Sequence, residues 1–249
     1  MSDALKNWPY PRWIAHRGAG KLAPENTLAA FRVGAQHGYR MFECDAKLSS
    51  DGVVFLLHDA SLERTTNGHG VGGEQTWAHL QQLDAGAWHS STFAGEPLPS
   101  LRDIAEFCLA NGYHLNIEIK PTPGTDALTG DVVARQAATL WADCEVAPLL
   151  TSFKPEALSA AKIAAAHLPR GLLLDTLWDG WRETAAALEC CAVVFHYKLL
   201  NQALVKQVHS DGWRCLAYTV NAPEFADQLR AWQVDGLITD RVDQFNPSL

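Results

Sequence analysis

Short apolar runs alternate along the chain with longer stretches in which apolar residues recur at helical spacing. Eight of the runs have the length and composition of buried strands. They cover residues 13–16, 41–45, 114–120, 148–153, 171–175, 192–197, 214–220 and 236–239. The amphipathic stretches predict helices over residues 27–37, 101–109, 129–141, 155–167, 179–189, 201–209 and 223–232. This alternation predicts an α/β fold, an eight-stranded parallel (β/α)8 barrel of the TIM type.

One interval departs from the alternation, because a long insertion, residues 46–99, precedes the helix between the second and third strands. It opens with a turn over residues 49–52, which is too short for a parallel crossover and therefore predicts a β-hairpin. The predicted register pairs Leu48 with Val53, Asp45 with Leu56 and Glu43 with His58. We interpret residues 46–99 as a cap over one end of a single barrel domain that spans residues 1–249.

The composition is that of an ordinary globular protein, with 47% hydrophobic and 19% charged residues among 249. A net charge of −8 disfavours attraction to nucleic acid or to an anionic membrane surface. We expect no stable membrane insertion and a cytoplasmic location, because no apolar run is long enough for a span and the first residues lack signal-peptide features. Six cysteines without CxxC spacing predict neither a zinc site nor a disulfide framework.

Three carboxylates are predicted at the carboxyl ends of two neighbouring strands, the end at which barrels of this kind hold their active sites. Glu43 and Asp45 are two residues apart on the second strand and therefore share one face. Glu118 and Lys120 repeat this spacing on the third strand. Such a cluster of hard oxygen ligands suits a divalent cation, Mg²⁺ or Ca²⁺. Alternatively, Glu118 forms an ion pair with Lys120 or Arg17, and Asp45 caps a turn.

Two histidines are predicted at the same rim, because His16 ends the first strand and His58 ends the returning strand of the hairpin. Two imidazoles beside one metal can exchange the protons of phosphoester chemistry, although each histidine taken alone is equally well explained as a structural residue. Arg17 and Lys120 add the positive charge that a phosphodiester requires in its transition state. Ion pairs with the carboxylates also explain these two cations.

Four separated motifs resemble the glycerophosphodiester phosphodiesterase family, and its bacterial cytoplasmic members in particular. They read HRGAGKLAPENT, FECDAKLSSDGVVFLLHDASLERTTNG, NIEIK and DGLITD, and the likeness runs from about residue 13 to residue 241. The resemblance implies an eight-stranded barrel with a small insertion after the second strand. It also implies a small-molecule substrate: a glycerophosphodiester, the deacylated form of a phospholipid, hydrolysed to glycerol 3-phosphate and an alcohol.

The resemblance also implies a role for each residue that matches the family pattern. The implied catalytic acid and base are His16 and His58, the implied metal ligands are Glu43, Asp45 and Glu118, and the implied phosphate-binding residues are Arg17 and Lys120. Asn26 and Asp59 lie within the motifs and are expected to orient their neighbours. The family often has a tryptophan where this chain has Tyr218, so the aromatic wall of the substrate pocket differs in detail.

Two other functions use similar residues. A phospholipase D-like barrel acts on intact lipid at a membrane surface, which the acidic charge disfavours and the tryptophans of the insertion, Trp77 and Trp88, favour. A non-catalytic barrel that only binds phosphodiesters is the alternative from another class. The preferred alcohol, the metal, the attacking oxygen (water or the glycerol 2-hydroxyl) and the oligomeric state are open at this point.

Overall fold

The computed structural model describes residues 8–247, in which eight parallel strands close into a barrel and a ninth strand pairs outside the ring. The barrel strands are β1 (Trp13–Ala15), β2 (Met41–Leu48), β4 (His114–Ile119), β5 (Leu149–Ser152), β6 (Arg170–Leu174), β7 (Ala192–His196), β8 (Arg214–Tyr218) and β9 (Gly236–Thr239), and the strand outside the ring is β3 (Val54–Leu56). Strand β1 closes the ring by pairing with both β2 and β9. The predicted (β/α)8 barrel is confirmed.

Helices separate consecutive barrel strands along the described chain. They are α1 (Leu28–Gln36), α2 (Trp77–Leu80), α3 (Leu101–Asn111), α4 (Asp126–Leu140), α5 (Pro155–Ala164), α6 (Trp181–Ala187), α7 (Gln202–Ser210) and α8 (Pro223–Ala231). All but α2, a short helix inside the insertion, were expected from the sequence, and their ends differ from the predicted ends by at most three residues. Helices α5 and α8 begin at a proline, whose missing N–H costs nothing in a first turn.

Side chains of the barrel strands alternate between the surrounding helices and the barrel interior. The outward-facing set packs against the helices in the main core. The inward-facing apolar set is Ile14, Met41, Leu149, Leu173, Val194, Leu216 and Ile238, together with Tyr10 and Ala192. On β2 the inward positions continue from Met41 to Glu43 and Asp45, all of them buried. The apolar layer therefore gives way to carboxylates towards the carboxyl ends of the strands.

The predicted hairpin is present, but its predicted register is wrong by one residue. The observed pairs are Leu48 with Val54, Lys47 with Phe55 and Ala46 with Leu56, in place of Leu48 with Val53, Asp45 with Leu56 and Glu43 with His58. The turn is one residue longer than the prediction assumed, because Val53 belongs to it. Ser49 N–H donates to Val53 O, and Val53 N–H donates to Ser49 Oγ, both at 2.9 Å. Gly52 supplies the left-handed conformation within this turn, with φ of +86°.

The insertion, residues 46–99, contributes an apolar cluster of its own. Its buried members are Phe55, Leu57, Leu62, Leu80, Leu83, Ala85 and Leu98. Several contacts join the insertion to the segment that follows β1. Glu96 Oε1 accepts from Ala29 N–H at 2.8 Å, Arg64 donates to both carboxylate oxygens of Glu25, and His89 Nε2 lies 3.0 Å from Lys21 O. These contacts hold the insertion beside the carboxyl end of β1.

The six cysteines are free thiols, of which Cys144 is exposed and Cys191 is half-buried. The other four are buried: Cys44, Cys108, Cys190 and Cys215. In the described part of the chain, no helix combines the length and the apolar character that crossing a membrane requires.

The close packing of α4 against α5 gives a test of the fold. A Cβ added at Gly130 lies 2.1 Å from the carbonyl oxygen of Ala157, a backbone atom that has no rotamer with which to move away. We expect Gly130→Ala to lower the free energy of unfolding by about 2 kcal/mol. Helix propensity alone predicts the opposite sign, a gain of up to about 1 kcal/mol. Urea denaturation measures the change, and a stabilised Gly130→Ala variant contradicts the described helix contact.

Candidate active site

The carboxyl ends of the barrel strands surround a cavity of about 230 Å³. Strand β1 leads into His16, β2 carries Glu43, and β4 carries Glu118 and leads into Lys120. His58, which follows β3, lines the same cavity. Asp45 joins this group because its backbone position pairs with Glu118 in the parallel register of β2 and β4. The structure therefore brings together the predicted catalytic and metal-binding residues, which are far apart in sequence.

The three carboxylates form one compact, buried cluster. One oxygen from each of Glu43, Asp45 and Glu118 lies within 4.8 Å of the others. Burial and the neighbouring Asp45 raise the pKa of Glu43 to about 8. The same two causes raise the pKa of Glu118. This concentration of buried negative charge favours binding of a cation.

Two carboxylate oxygens of the cluster form no hydrogen bond, as expected of atoms that bind a metal ion. Glu43 Oε1 and Asp45 Oδ1 are buried and have no hydrogen-bond partner. Buried carboxylate oxygens are otherwise almost always hydrogen-bonded, so these two are available to a cation. All the donors are oxygen atoms, which fits a hard divalent ion and not a soft one. The cluster is therefore suited to one such ion.

Asp45 is held in place by its neighbours and stays ionised. Asn26 Nδ2 donates to Asp45 Oδ2 at 2.8 Å, and Asp45 N–H donates to Asn26 Oδ1 at 3.0 Å. Asn26 itself has φ of +60°, a left-handed conformation that asparagine tolerates better than most residues. Burial raises the pKa of Asp45, but Arg17 and Lys120 outweigh it and hold that pKa below its usual range. The expected supporting role of Asn26 is consistent with these contacts.

The two predicted cations do form ion pairs with the cluster. Lys120 Nζ lies 2.7 Å from Glu118 Oε1, and Arg17 Nε lies 3.1 Å from Asp45 Oδ2. Arg17 Nε is in ion-pair contact with Asp45 but forms no hydrogen bond with it. Arg17 backbone N–H donates to Glu43 Oε2 at 3.0 Å, in a turn where its φ is +50°. Lys120 Nζ also lies 3.6 Å from Asp45 Oδ1, in an ion pair that is not a hydrogen bond. The ion-pair interpretation and the metal interpretation are compatible, since these pairs leave Glu43 Oε1 and Asp45 Oδ1 without a hydrogen bond.

His16 is held in place through its Nδ1 atom, which lies 2.6 Å from Asp240 Oδ1. Its Nε2 lies 3.8 Å from Glu43 Oε2, beyond hydrogen-bond distance. Burial disfavours the charged ring, but the Asp240 hydrogen bond and the Glu43 charge outweigh it and raise the pKa of His16. Asp240 is fixed in turn by Asn221, whose Nδ2 donates to Asp240 Oδ2 at 2.8 Å.

His58 has a matching arrangement in the same cavity. Its Nδ1 lies 2.7 Å from Asp59 Oδ1, and Asp59 accepts hydrogen bonds from Arg64. Burial lowers the pKa of His58, and the nearby charges of Arg17 and Lys120 lower it further against the opposing effect of Asp45. Each histidine thus has an aspartate at Nδ1, which leaves Nε2 for the cavity.

Aromatic and apolar residues complete the wall. Phe153 and Tyr218 pack edge to face with ring centroids 5.7 Å apart, and Tyr218 Oη donates to Leu174 O at 3.1 Å. Leu173 and Ile238 line the same side. Tyr218 therefore lies in the cavity wall, as the sequence predicts.

Several residues of the site have no role predicted from the sequence. Those that contact its predicted residues or line its cavity are Asp240, Asn221, Arg64, Lys47 and Asn116. Asp240 follows the last barrel strand directly, so its place at a strand end was a usable signal. Arg64 lies in the insertion, where no periodic pattern indicates which side chain turns towards the barrel.

Comparisons with known proteins identify relatives over nearly the whole chain. A model described as the glycerophosphoryl diester phosphodiesterase family matches residues 16–244. The chain is 33% identical over 228 residues to a glycerophosphodiester phosphodiesterase of Caldanaerobacter subterraneus subsp. tengcongensis, covering 91% of this chain and 93% of that protein. It is 28% identical over 250 residues to a glycerophosphodiester phosphodiesterase of Bacillus subtilis, covering 94% and 84%.

A solved structure shows the same architecture. It is a phosphodiesterase of Oleispira antarctica in complex with the product sn-glycerol-3-phosphate. Its TM-score with this chain is 0.86, at 31% sequence identity, and the match covers 93% of each chain. Similarity of this extent over nearly the whole length reflects common descent and not a shared barrel shape alone.

Proposed function

Because the chain belongs to the glycerophosphoryl diester phosphodiesterase family, we propose that it hydrolyses glycerophosphodiesters to glycerol 3-phosphate and an alcohol in a metal-dependent reaction. One observation carries the proposal. Glu43 Oε1 and Asp45 Oδ1, which form no hydrogen bond, lie in a cluster that shares its cavity with two aspartate-supported histidines. A cation site next to two imidazoles suits metal-assisted hydrolysis of a phosphodiester.

Glu43, Asp45 and Glu118 would hold a divalent ion, Mg²⁺ or Ca²⁺. When bound, such an ion polarises a phosphate oxygen and offsets developing negative charge. Arg17 and Lys120 contribute fixed positive charge at the same mouth of the barrel, so they bind the phosphate and stabilise the charge that grows on its oxygens. Their ion pairs with Asp45 and Glu118 keep both cations oriented towards the cavity.

His16 and His58 exchange the protons of the reaction. One ring takes a proton from the attacking oxygen, and the other gives a proton to the leaving alkoxide. Asp240 and Asp59 each accept at Nδ1, which fixes the tautomer that presents Nε2 to the substrate. Tyr218 lies beside the phosphate-binding residues and bounds the space for the substrate.

Hydrolysis assays on purified protein test this function against its two rivals. We expect release of glycerol 3-phosphate from at least one of a panel of glycerophosphodiesters with cationic, neutral and anionic head groups in the presence of Mg²⁺ or Ca²⁺, and no turnover of intact phospholipid in vesicles. Faster turnover of vesicle lipid favours the phospholipase D-like alternative. Unchanged substrate across the whole panel after prolonged incubation with both ions favours the non-catalytic alternative and overturns the proposal.

We also propose that residues 1–249 form one domain with residues 46–99 as its insertion, that it works in the cytoplasm, and that it uses a small molecule and not nucleic acid as its partner. The charge of −8 and the enclosed cavity of about 230 Å³ support the last point. A nucleic-acid backbone requires an extended basic surface, which the acidic excess disfavours.

The contact between His16 and Asp240 gives a prediction for a positioning residue. We expect Asp240→Asn to lower kcat by about 100-fold with little change in KM, because asparagine can present an N–H to Nδ1 and stabilise the wrong tautomer. We also expect the pH profile of kcat to change, which a purely structural role would not cause. Steady-state kinetics across pH measure both effects.

A second aspartate–histidine pair provides the matched control. Asp235 Oδ2 lies 2.8 Å from His209 Nε2, and Asp235 directly precedes β9, at the opposite end of the barrel. Asp235→Asn therefore removes a similar pair outside the site, and we expect kcat to stay within about twofold of wild type. Equal losses in both variants would show that Asp240 acts only through stability.

A further inference from the structure

A second cavity, of about 290 Å³, opens beside the first. It lies between the loop that follows β4, with Pro121 and Pro123, and the start of α5 at Lys154. Four residues line both cavities: His58, Glu118, Lys120 and Phe153. A phosphodiester has two alcohol halves that meet at phosphorus. A phosphate held at this shared wall therefore places one alcohol in each cavity.

The second cavity is lined by three lysines, and two of them have no acidic partner. Lys120 is paired with Glu118 at 2.7 Å. Lys47 is 1% exposed, and its Nζ donates to the carbonyl oxygen of Lys120 at 3.1 Å. Among residues 8–247, no carboxylate oxygen lies within the 4.0 Å ion-pair distance of the Nζ atom of Lys47 or Lys154. Lys47 and Lys154 thus line this cavity without a carboxylate in ion-pair contact, although the charges of Asp45, Glu118 and Asp59 act on Lys47 from a greater distance.

The groups that could receive a cationic head group are already engaged. Ser152 Oγ donates to Ile119 O at 2.7 Å and accepts from Lys154 N–H at 3.1 Å. Lys120 Nζ occupies a face of the Phe153 ring, 5.5 Å from its centroid. An aromatic face is what a quaternary ammonium group would need, and the lysines would repel it. The cavity is therefore unfavourable for a choline-like or ethanolamine-like group.

We propose that this second cavity receives the head-group alcohol of the diester and selects an alcohol that carries an anionic group, a carboxylate or a second phosphate, bound by Lys47 and Lys154. Glycerol is uncharged, so an anion in this cavity belongs to the head group and not to the glycerol half. The inference rests on the proposed phosphodiesterase function and narrows its substrate class. Ammonium groups bind both kinds of anion by charge-assisted hydrogen bonds.

Matched substrates test the inference. Four diesters of glycerol 3-phosphate are compared, with head-group alcohols of equal length that end in a carboxylate, a phosphate monoester, an amide or an ammonium group. We expect kcat/KM of the full-length protein with Mg²⁺ to be about tenfold higher for each anionic substrate than for the ammonium substrate, with the amide between them. The preference should decrease as the salt concentration rises, because Lys154 is exposed.

Two variants test whether Lys154 and Lys47 cause the preference for anionic substrates. We expect Lys154→Met to lower the ratio of carboxylate to ammonium kcat/KM about threefold, and the buried Lys47→Met to lower it about tenfold. Lys206→Met, on the exposed side of α7, is the control and should leave the ratio unchanged. Because Lys154 is exposed, its variant folds even where Lys47→Met does not.

The outcomes separate this inference from the function on which it rests. Hydrolysis of all four diesters at equal efficiency, a preference for ammonium, or an unchanged ratio in both lysine variants overturns the inference alone. Failure to hydrolyse any of the four overturns the proposed function and the inference with it. A carboxylate preference without a phosphate preference, lost in either variant, supports the site and identifies the anion.

Discussion

Removal of the divalent ion with excess chelator is expected to lower kcat by about 1,000-fold, and added Mg²⁺ or Ca²⁺ is expected to restore it. The estimate follows because a bound ion contributes several kcal/mol of transition-state stabilisation, and about 1.4 kcal/mol corresponds to tenfold in rate. The loss should be reversible, since all three ligands lie on strands of the barrel.

Substitution of a ligand should have a similar effect. We expect Glu43→Gln to weaken metal binding by at least about tenfold in titration calorimetry and to lower activity at limiting metal. The variant should fold, because the raised pKa of Glu43, about 8, means that an uncharged side chain already suits this buried position. Glu156→Gln, on the exposed start of α5, is the matched control. Full activity in excess chelator would remove the metal from the mechanism.

Removal of either catalytic histidine is expected to lower kcat nearly as much as removal of the ion. We expect His16→Ala and His58→Ala each to lower kcat by about 100-fold to 10,000-fold, the range that a positioned acid or base contributes. Both rings line the cavity and are partly exposed, with 18% and 29% of their side-chain surfaces accessible, so the loss of packing should be small. Thermal unfolding and steady-state kinetics measured on the same preparations distinguish lost chemistry from lost stability.

His209→Ala provides the comparison, because His209 also contacts an aspartate at 2.8 Å but lies outside the site. Its kcat should stay within about twofold of wild type. A His16 or His58 variant with near wild-type kcat would show that the assigned role is wrong. Accumulation of a cyclic glycerophosphate in either variant would identify the glycerol 2-hydroxyl as the attacking oxygen, and its absence would favour water.

Periodicity alone was enough to predict most of the fold. Each barrel strand is short, apolar and separated from the next by an amphipathic helix, so both the class and the strand count could be predicted. The register of the hairpin could not be predicted from periodicity, because it depends on whether Val53 belongs to the turn or to the strand. Both assignments satisfy the alternation of apolar residues, and a hydrogen bond to the Ser49 hydroxyl decides between them.

Site residues could be predicted from the sequence where a chemically reactive or charged residue lies at the end of a predicted strand. Glu43, Asp45 and Glu118 were identified because they lie near the ends of two neighbouring strands, with a spacing that places Glu43 and Asp45 on one face. Arg64 and Lys47 gave no such signal, since a surface lysine or arginine has the same appearance in sequence. The family and the phosphodiesterase assignment are confirmed. The individual roles, and the division of the chain into one domain with an insertion at residues 46–99, stay predictions.

The position of a bound cation tests the central claim most directly. Crystals grown with Mn²⁺, which accepts the same oxygen ligands as Mg²⁺, give an anomalous signal at the ion. We predict one strong peak at about 2.0–2.4 Å from oxygens of Glu43, Asp45 and Glu118. A peak bound elsewhere, or no peak at this cluster at saturating Mn²⁺, would contradict the account.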